Sequence, residues 1–431
     1  MVEQPVAQPA DEPTPAPTPL LALRDGLPPL IDTPDALVEV TQAFAAGSGP
    51  VAIDAERASG YRYSARAYLV QLRRVDAGLA LVDPIPFGDL TQLDTALEGA
   101  EWILHAATQD LPCLTELGLR PSALFDTELA GRLLGYPRVG LATLVETILG
   151  RAMRKEHSAV DWSTRPLPSP WLEYAALDVE ALIELREALG AELEAAGKAD
   201  WAQQEFDYLM TAPPPGPRQD RWRRTSGVHK ARGRRALAAV RELWETRDAI
   251  AARRDVTPGR ILPDSAIVEA ANALPRDKAS LLGLKGFRGR GAERYAGQWV
   301  AALRDARELP DGELPPLTAR YDGPPPPRAW ADRDPVAAAR LQHSRTALRE
   351  LSEKVSVPVE NLLTPDHVRR LLWQPPTDVD AAELPDRVAG RLTEMGARHW
   401  QVELTAGLLS QAILSPPPAA PGSEPTSGPP G

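Results

Sequence analysis

Val51-Ala52-Ile53-Asp54-Ala55-Glu56 is a short apolar run that ends in two acids placed two residues apart. On an extended strand alternate side chains share a face, so the carboxylates of Asp54 and Glu56 point the same way. Like charges held that close repel unless a cation lies between them, and carboxylates presented from a strand end can ligate Mg²⁺ or Mn²⁺. A strand running into a solvated acidic turn would carry the same letters. Further acids in suitable contexts have to decide between the two.

Around this stretch the pattern alternates. Strand-like Val51 to Glu56, Tyr68 to Arg74, Leu79 to Val82 and Trp102 to His105 are interleaved with helical stretches around Pro34 to Ala46, Asp89 to Glu98 and Asp110 to Leu117. Such alternation predicts an α/β domain with a mixed sheet. Leu129 to Leu134, Leu141 to Leu149 and Trp171 to Ala195 read as helices, so helices crowd the second half of this domain. Pro213-Pro214-Pro215-Gly216-Pro217 then breaks the pattern, because it fits neither a helix interior nor a central strand.

Beyond the break come two helical blocks, Arg221 to Arg307 and Pro335 to Ser415, separated by a Pro/Gly-rich joint between Leu309 and Pro327. The blocks echo one another. Leu243-Trp244-Glu245-Thr246-Arg247-Asp248 followed by Val256 to Leu262 is matched by Leu348-Arg349-Glu350-Leu351 followed by Val357 to Leu363. Each continues through a Pro-Asp pair, Pro263-Asp264 and Pro365-Asp366, toward Trp299 and Trp400 in comparable places. A duplicated small helical bundle accounts for this. The division expected is a disordered tail 1–26, an α/β domain 27–212, a first bundle with a basic linker 213–308, a linker 309–334, a second bundle 335–415 and a disordered tail 416–431.

Composition narrows the function classes. A chain of 431 residues exceeds what one core usually organises. The hydrophobic fraction is 43%, yet no apolar run approaches the ~20 residues that cross a bilayer, and the start lacks a secretory pattern, so a soluble cytoplasmic protein is expected. With Cys113 the single cysteine, neither an intrachain disulfide nor a cysteine zinc cage can form. A net charge of −11 argues against general coating of nucleic acid but allows a local basic path. Arg218, Arg221, Arg223, Arg224, Lys230, Arg232, Arg234 and Arg235 cluster at the domain boundary with Trp222 among them, suited to phosphates and a stacked base, or to a solvated linker face. Lys285 and Arg288 in a Gly-rich segment are second candidates for backbone contacts.

Partners for the acidic pair lie further along. Asp110 falls at the start of a helix just after the strand ending in His105, where an N-cap would also suit it. Tyr174 and Asp178, at i and i+4, share a helix face. Three such motifs in this order resemble the DEDD superfamily of exonucleases, in its tyrosine branch. The phrases His105-Ala106-Ala107-x-x-Asp110-Leu111, Gly140-Leu141-Ala142-x-Leu144-Val145-Glu146, Asp161-Trp162-Ser163-x-Arg165-Pro166-Leu167 and Leu172 to Val179 are similar to those of ribonuclease D. Trp244-Glu245-x-Arg247-Asp248 and Leu284-Lys285-Gly286-Phe287 resemble the HRDC domain, named for helicases and ribonuclease D. Two departures stand out: Arg57 follows Glu56 where related sequences often carry a small, polar or aromatic residue, and Glu156 to Val160 is atypical.

The resemblance implies a ribonuclease H-like exonuclease domain followed by two HRDC-like bundles. It implies 3′–5′ exoribonuclease activity with two divalent ions, Mg²⁺ or Mn²⁺. Asp54, Glu56 and Asp178 would form the inner ligand cluster, and Asp110 would hold the second ion mainly through water. Tyr174, with an ordinary pKa of about 10, is a poor base and is assigned to orienting the attacking water. The implied partner is RNA with a free 3′ end, such as precursor tRNA, met by a monomer. A DNA-directed exonuclease of the same superfamily and an idle nucleic-acid-binding scaffold are the alternatives.

Overall fold

The computed structural model describes residues 18–414 apart from 155, 156, 158, 214, 215, 217, 218, 319–322 and 378. Glu156 and Ser158 of the atypical segment, Pro214, Pro215, Pro217 and Arg218 of the boundary, residues 1–17 of the first tail and the whole of the second therefore lie outside the described residues. Among those described, no helix is long and apolar enough to cross a membrane.

A six-stranded mixed sheet forms the centre of the first domain, in the order β1-β4-β3-β2-β5-β6. Its strands are β1 (Leu30–Ile31), β2 (Ser48–Arg57), β3 (Ala67–Val75), β4 (Gly78–Val82), β5 (Glu101–Leu104) and β6 (Ala123–Asp126). β3 runs antiparallel to β2 and β4, while β5 is parallel to β2 and β6. Among the described residues, eight α-helices surround the sheet: α1 (Pro34–Ala46), α2 (Thr91–Ala96), α3 (Leu111–Glu116), α4 (Thr127–Leu134), α5 (Leu141–Leu149), α6 (Ser169–Glu180), α7 (Leu182–Ala195) and α8 (Ala199–Thr211). β2 is central, so Val51, Ala52 and Ile53 are fully buried before the chain reaches the acids.

Three expectations need correction. Residues 18–26 are not a loose tail: Leu21 is buried, Pro19 and Leu21 exchange backbone hydrogen bonds with Ala152, and Arg24 pairs with Glu180 and Glu184. Trp171 to Ala195 is two helices, broken at Ala181. α6 packs on β2, β3 and β4 whereas α7 packs on α4 and α5, and one straight rod cannot cover both. The strands β1 and β6 were not foreseen, being two and four residues long.

The first helical block holds α9 (Gly233–Arg254), α10 (Pro258–Ile261), α11 (Asp264–Ala273), α12 (Lys278–Leu282), α13 (Arg290–Arg294) and α14 (Ala296–Glu308). The second holds α15 (Trp330–Arg333), α16 (Pro335–Val355), α17 (Val359–Leu362), α18 (Pro365–Trp373), α19 (Leu384–Glu394) and α20 (His399–Leu414). The echo in sequence is an echo in backbone. In each block a long helix ends on a left-handed residue, Asp255 or Ser356, followed by a four-residue helix and an extended residue, Leu262 or Leu363. Trp299 and Trp400 are not equivalent, however. Trp299 fills the core of the first block, whereas Trp400 joins the core of the exonuclease-like domain together with Val357 and Leu362.

Both blocks are docked on the first domain. Asp255 accepts from the backbone N–H of Tyr63 and Ser64 at 3.1 and 2.8 Å, and Tyr63 donates its hydroxyl to Asp248. On the other side Trp400 stacks on Trp201 at 4.9 Å, and Glu205 accepts from the Trp400 indole and the Arg398 guanidinium.

Candidate active site

The buried half of β2 delivers Asp54 and Glu56 to the C-terminal end of the sheet, and α6 crosses above it with Tyr174 and Asp178 on the facing side. Oxygens of Asp54, Glu56 and Asp178 lie within 4.8 Å of one another. An all-oxygen donor set this compact suits a hard divalent cation, whereas zinc favours nitrogen and sulfur. A cleft of about 190 Å³ opens beside it, lined by Ile53, Asp54, His105, Leu141, Tyr174, Asp178 and Leu182.

Asp110 belongs to the same electrostatic unit. It sits at the start of α3, but its side chain makes no capping bond, which removes the helix-cap reading. Its carboxylate is buried, faces the charge of Asp54, and pairs with Arg57 at 3.3 Å. The turn that places it is held by Asp126, whose carboxylate accepts from the backbone N–H groups of Ala106, Ala107, Glu128 and Leu129. Those bonds stabilise Ala106 in the left-handed conformation, at φ 61°. Thr127 donates its hydroxyl proton to the Leu104 carbonyl, so its oxygen accepts from His105 Nδ1 at 2.9 Å. The imidazole is neutral, pushed down to about 4 by burial, and Nε2 is left as an acceptor.

Crowding leaves its mark on every acid of the cluster. Burial first, then the charges of Asp54, Asp178 and Asp110, push the Glu56 carboxyl up to about 10. Burial and Asp54 push Asp110 up to about 8 despite Arg57, and burial raises Asp54 and Asp178 as well. Burial and the surrounding carboxylates also raise the Tyr174 phenol, which donates a hydrogen bond to Asp178. Tyr174 is therefore a proton donor here, not a base. These are groups that release protons when a cation enters.

The structure brings together all five sequence-derived residues of the site, but it treats the basic candidates unevenly. Arg221 is exposed and lies over the Trp244 ring at 5.3 Å, and Arg224, Lys285 and Arg288 are exposed. Arg223 is not a free cation: it donates to Asp220 and to the Pro316 carbonyl, with its guanidinium over Trp222. Trp222 is buried in the core of the first block and cannot stack a base. Arg234 likewise spends donors on the linker carbonyls of Leu314 and Pro315, and Arg235 on the carbonyls of Ala306 and Arg307 at the end of α14 and on Asp311 of the linker. Charge counting along the chain cannot see this, because carbonyl partners 71 to 81 residues away carry no letter. Sequence reasoning passed over Asp126, although Asp126-Thr127-Glu128 before an apolar run is a helix-start signal.

Comparison with known proteins follows the same division. Residues 29–194 match a family profile described as 3'-5' exonuclease, and residues 236–303 match the HRDC domain. The second block matches a separate profile, the 3' to 5' exonuclease C-terminal domain, over residues 323–413. Ribonuclease D of Gluconacetobacter diazotrophicus is 32% identical over 76% of this chain and 82% of its own. A protein of Bifidobacterium adolescentis of known crystal structure is similar at a TM-score of 0.84 and 40% identity, covering 93% of this chain and 100% of that one. Escherichia coli RNase D, an exoribonuclease involved in structured RNA processing, follows at 0.64 and 26%, over 90% of this chain and 98% of its own. Domain content, relatives and site geometry converge: the chain belongs to the ribonuclease D family of 3′–5′ exoribonucleases.

Proposed function

We propose that Asp54, Glu56, Asp110 and Asp178 hold two divalent ions, Mg²⁺ or Mn²⁺, and that the enzyme releases nucleoside 5′-monophosphates from the 3′ ends of structured RNAs such as precursor tRNA. The compact oxygen cluster of Asp54, Glu56 and Asp178 is the observation that carries this reading. When bound, such ions lower the pKa of water and stabilise the charge that grows on the departing 3′ oxygen. The protein's own part is positional. Asp54 and Glu56 are fixed by the strand, Asp178 by the helix above it, and Asp110 by the turn that Asp126 holds.

Tyr174, kept protonated by burial and by its acidic neighbours, orients the attacking water through its hydroxyl. Exposed Arg221, Arg224, Lys285 and Arg288 are the candidate contacts to the RNA backbone, contributing affinity without sequence preference. The working unit is a monomer, which light scattering of the purified protein would check, and its place of action is the cytoplasm, which cell fractionation would check.

The direct test is a tRNA with a short 3′ extension incubated with Mg²⁺, Mn²⁺ or chelator. Stepwise loss of nucleotides that needs the ion supports the reading, and equal or faster loss of a matched DNA strand would replace RNA by DNA as its target. Asp178→Asn should lower turnover more than about a hundredfold, beyond the cost of losing a supporting partner of a ligand, while RNA binding stays nearly intact.

A further inference from the structure

Arg57 follows directly on the second acid of β2, and its surroundings differ from those of Arg165, an arginine that holds a loop in place. Glu56 pairs with Leu69 but Arg57 with Ala67, so an irregularity in the β2–β3 ladder interrupts the strand's alternation just after the second acid. Such irregularities re-aim side chains. The guanidinium reaches Asp110 at 3.3 Å, beside the carboxylate cluster, and remains 27% exposed. Its positive charge acts on Asp54, Glu56 and Asp110. Arg165 offers the contrast. Its donors are taken up by Asp83 and by the carbonyls of Tyr68, Trp162 and Thr164, as befits an arginine that holds a loop in place. Among the described residues Arg57 has Asp110 alone, at a distance that leaves most of its donor fork unspent.

We propose that Arg57 binds the phosphate of the nucleotide being released. This rests on the reading of the carboxylates as the catalytic site. A cation held by Asp110 takes over the charge that Arg57 meets, and the guanidinium then faces the substrate phosphate, the one anion that has to enter this cleft. Its planar fork matches two phosphate oxygens at once, a geometry that lysine lacks.

Calorimetric titration of the full-length protein separates this from a propping role. Parent, Arg57→Gln, Arg57→Lys and Asp54→Asn are titrated with Mn²⁺ alone, and the Mn²⁺-saturated proteins then with AMP and with adenosine. Arg57→Gln should bind Mn²⁺ as tightly as the parent or tighter and adenosine equally, but AMP at least about tenfold more weakly, the loss of one charged hydrogen-bonded contact. Arg57→Lys should fall between. Weakened Mn²⁺ binding with unchanged AMP affinity at saturation would show that Arg57 only supports Asp110, and would overturn the proposal. Asp54→Asn tests the underlying site: loss of Mn²⁺ binding upholds it, and unaltered Mn²⁺ binding sinks the site and the Arg57 contact together.

Discussion

Glu56 shows how one residue can be kept for function against stability. Its carboxyl, ordinarily at 4.5, is held up to about 10 in the folded protein by burial and by three neighbouring acids. A group whose folded pKa is raised contributes stability that is fully present below its unfolded pKa and is lost as pH rises through the folded one. The metal-free protein should therefore melt at progressively lower temperature as pH climbs from about 4.5 toward 10. Mn²⁺ should restore more of the loss at high pH than at low. Glu56→Gln should raise the metal-free melting temperature near neutral pH by at least about 2 °C, the shift expected for 1 kcal/mol in a domain of this size. Scanning calorimetry across pH, with and without ion, measures both. An Arg165→Ala exchange points the other way: Asp83, nearly buried, would lose its bidentate partner, at a cost of roughly 3 kcal/mol read from denaturant midpoints.

Elements, more than residues, decide where such groups meet. The turn between β5 and α3 carries Asp110 because Asp126, at the end of β6, satisfies two of its backbone N–H groups as well as two at the start of α4. Asp126→Ala should cost about 2 kcal/mol in stability and release the turn, lowering activity beyond what the stability loss explains. Chemical denaturation and turnover at a temperature where the variant stays folded would show the two effects apart. Legibility in the sequence follows the same lines. β2, β3 and β4 were readable because each is an apolar run long enough to show its period, and β5 because Trp102-Ile103-Leu104 is an unbroken apolar run leading into His105. Asp54, Glu56, Asp110, Tyr174 and Asp178 were readable because their spacing matches a known set of motifs. β6 was not, since Ala123-Leu124-Phe125-Asp126 is too short to show alternation. The break at Ala181 was not either, because no Gly or Pro marks it and only packing on two different surfaces requires it.

On the scale of the whole molecule the helical blocks are structural partners of the exonuclease domain as much as appendages to it. The first grips the loop that follows β2 through Asp255, and the second completes a core against α8 through Val357, Leu362 and Trp400. Trp400→Ala should destabilise the protein by about 3–5 kcal/mol and shift the emission of the newly uncovered Trp201 to the red. That packing also sets an order for biosynthesis. Trp201 and Tyr208 leave the ribosome long before Trp400 and Arg398, the residues that cover them, have been made. Until α20 arrives the nascent chain carries a naked aromatic face, a natural foothold for a holding chaperone. A chain truncated after Ala212 should keep that face for good and scatter light at concentrations where the full-length protein stays clear.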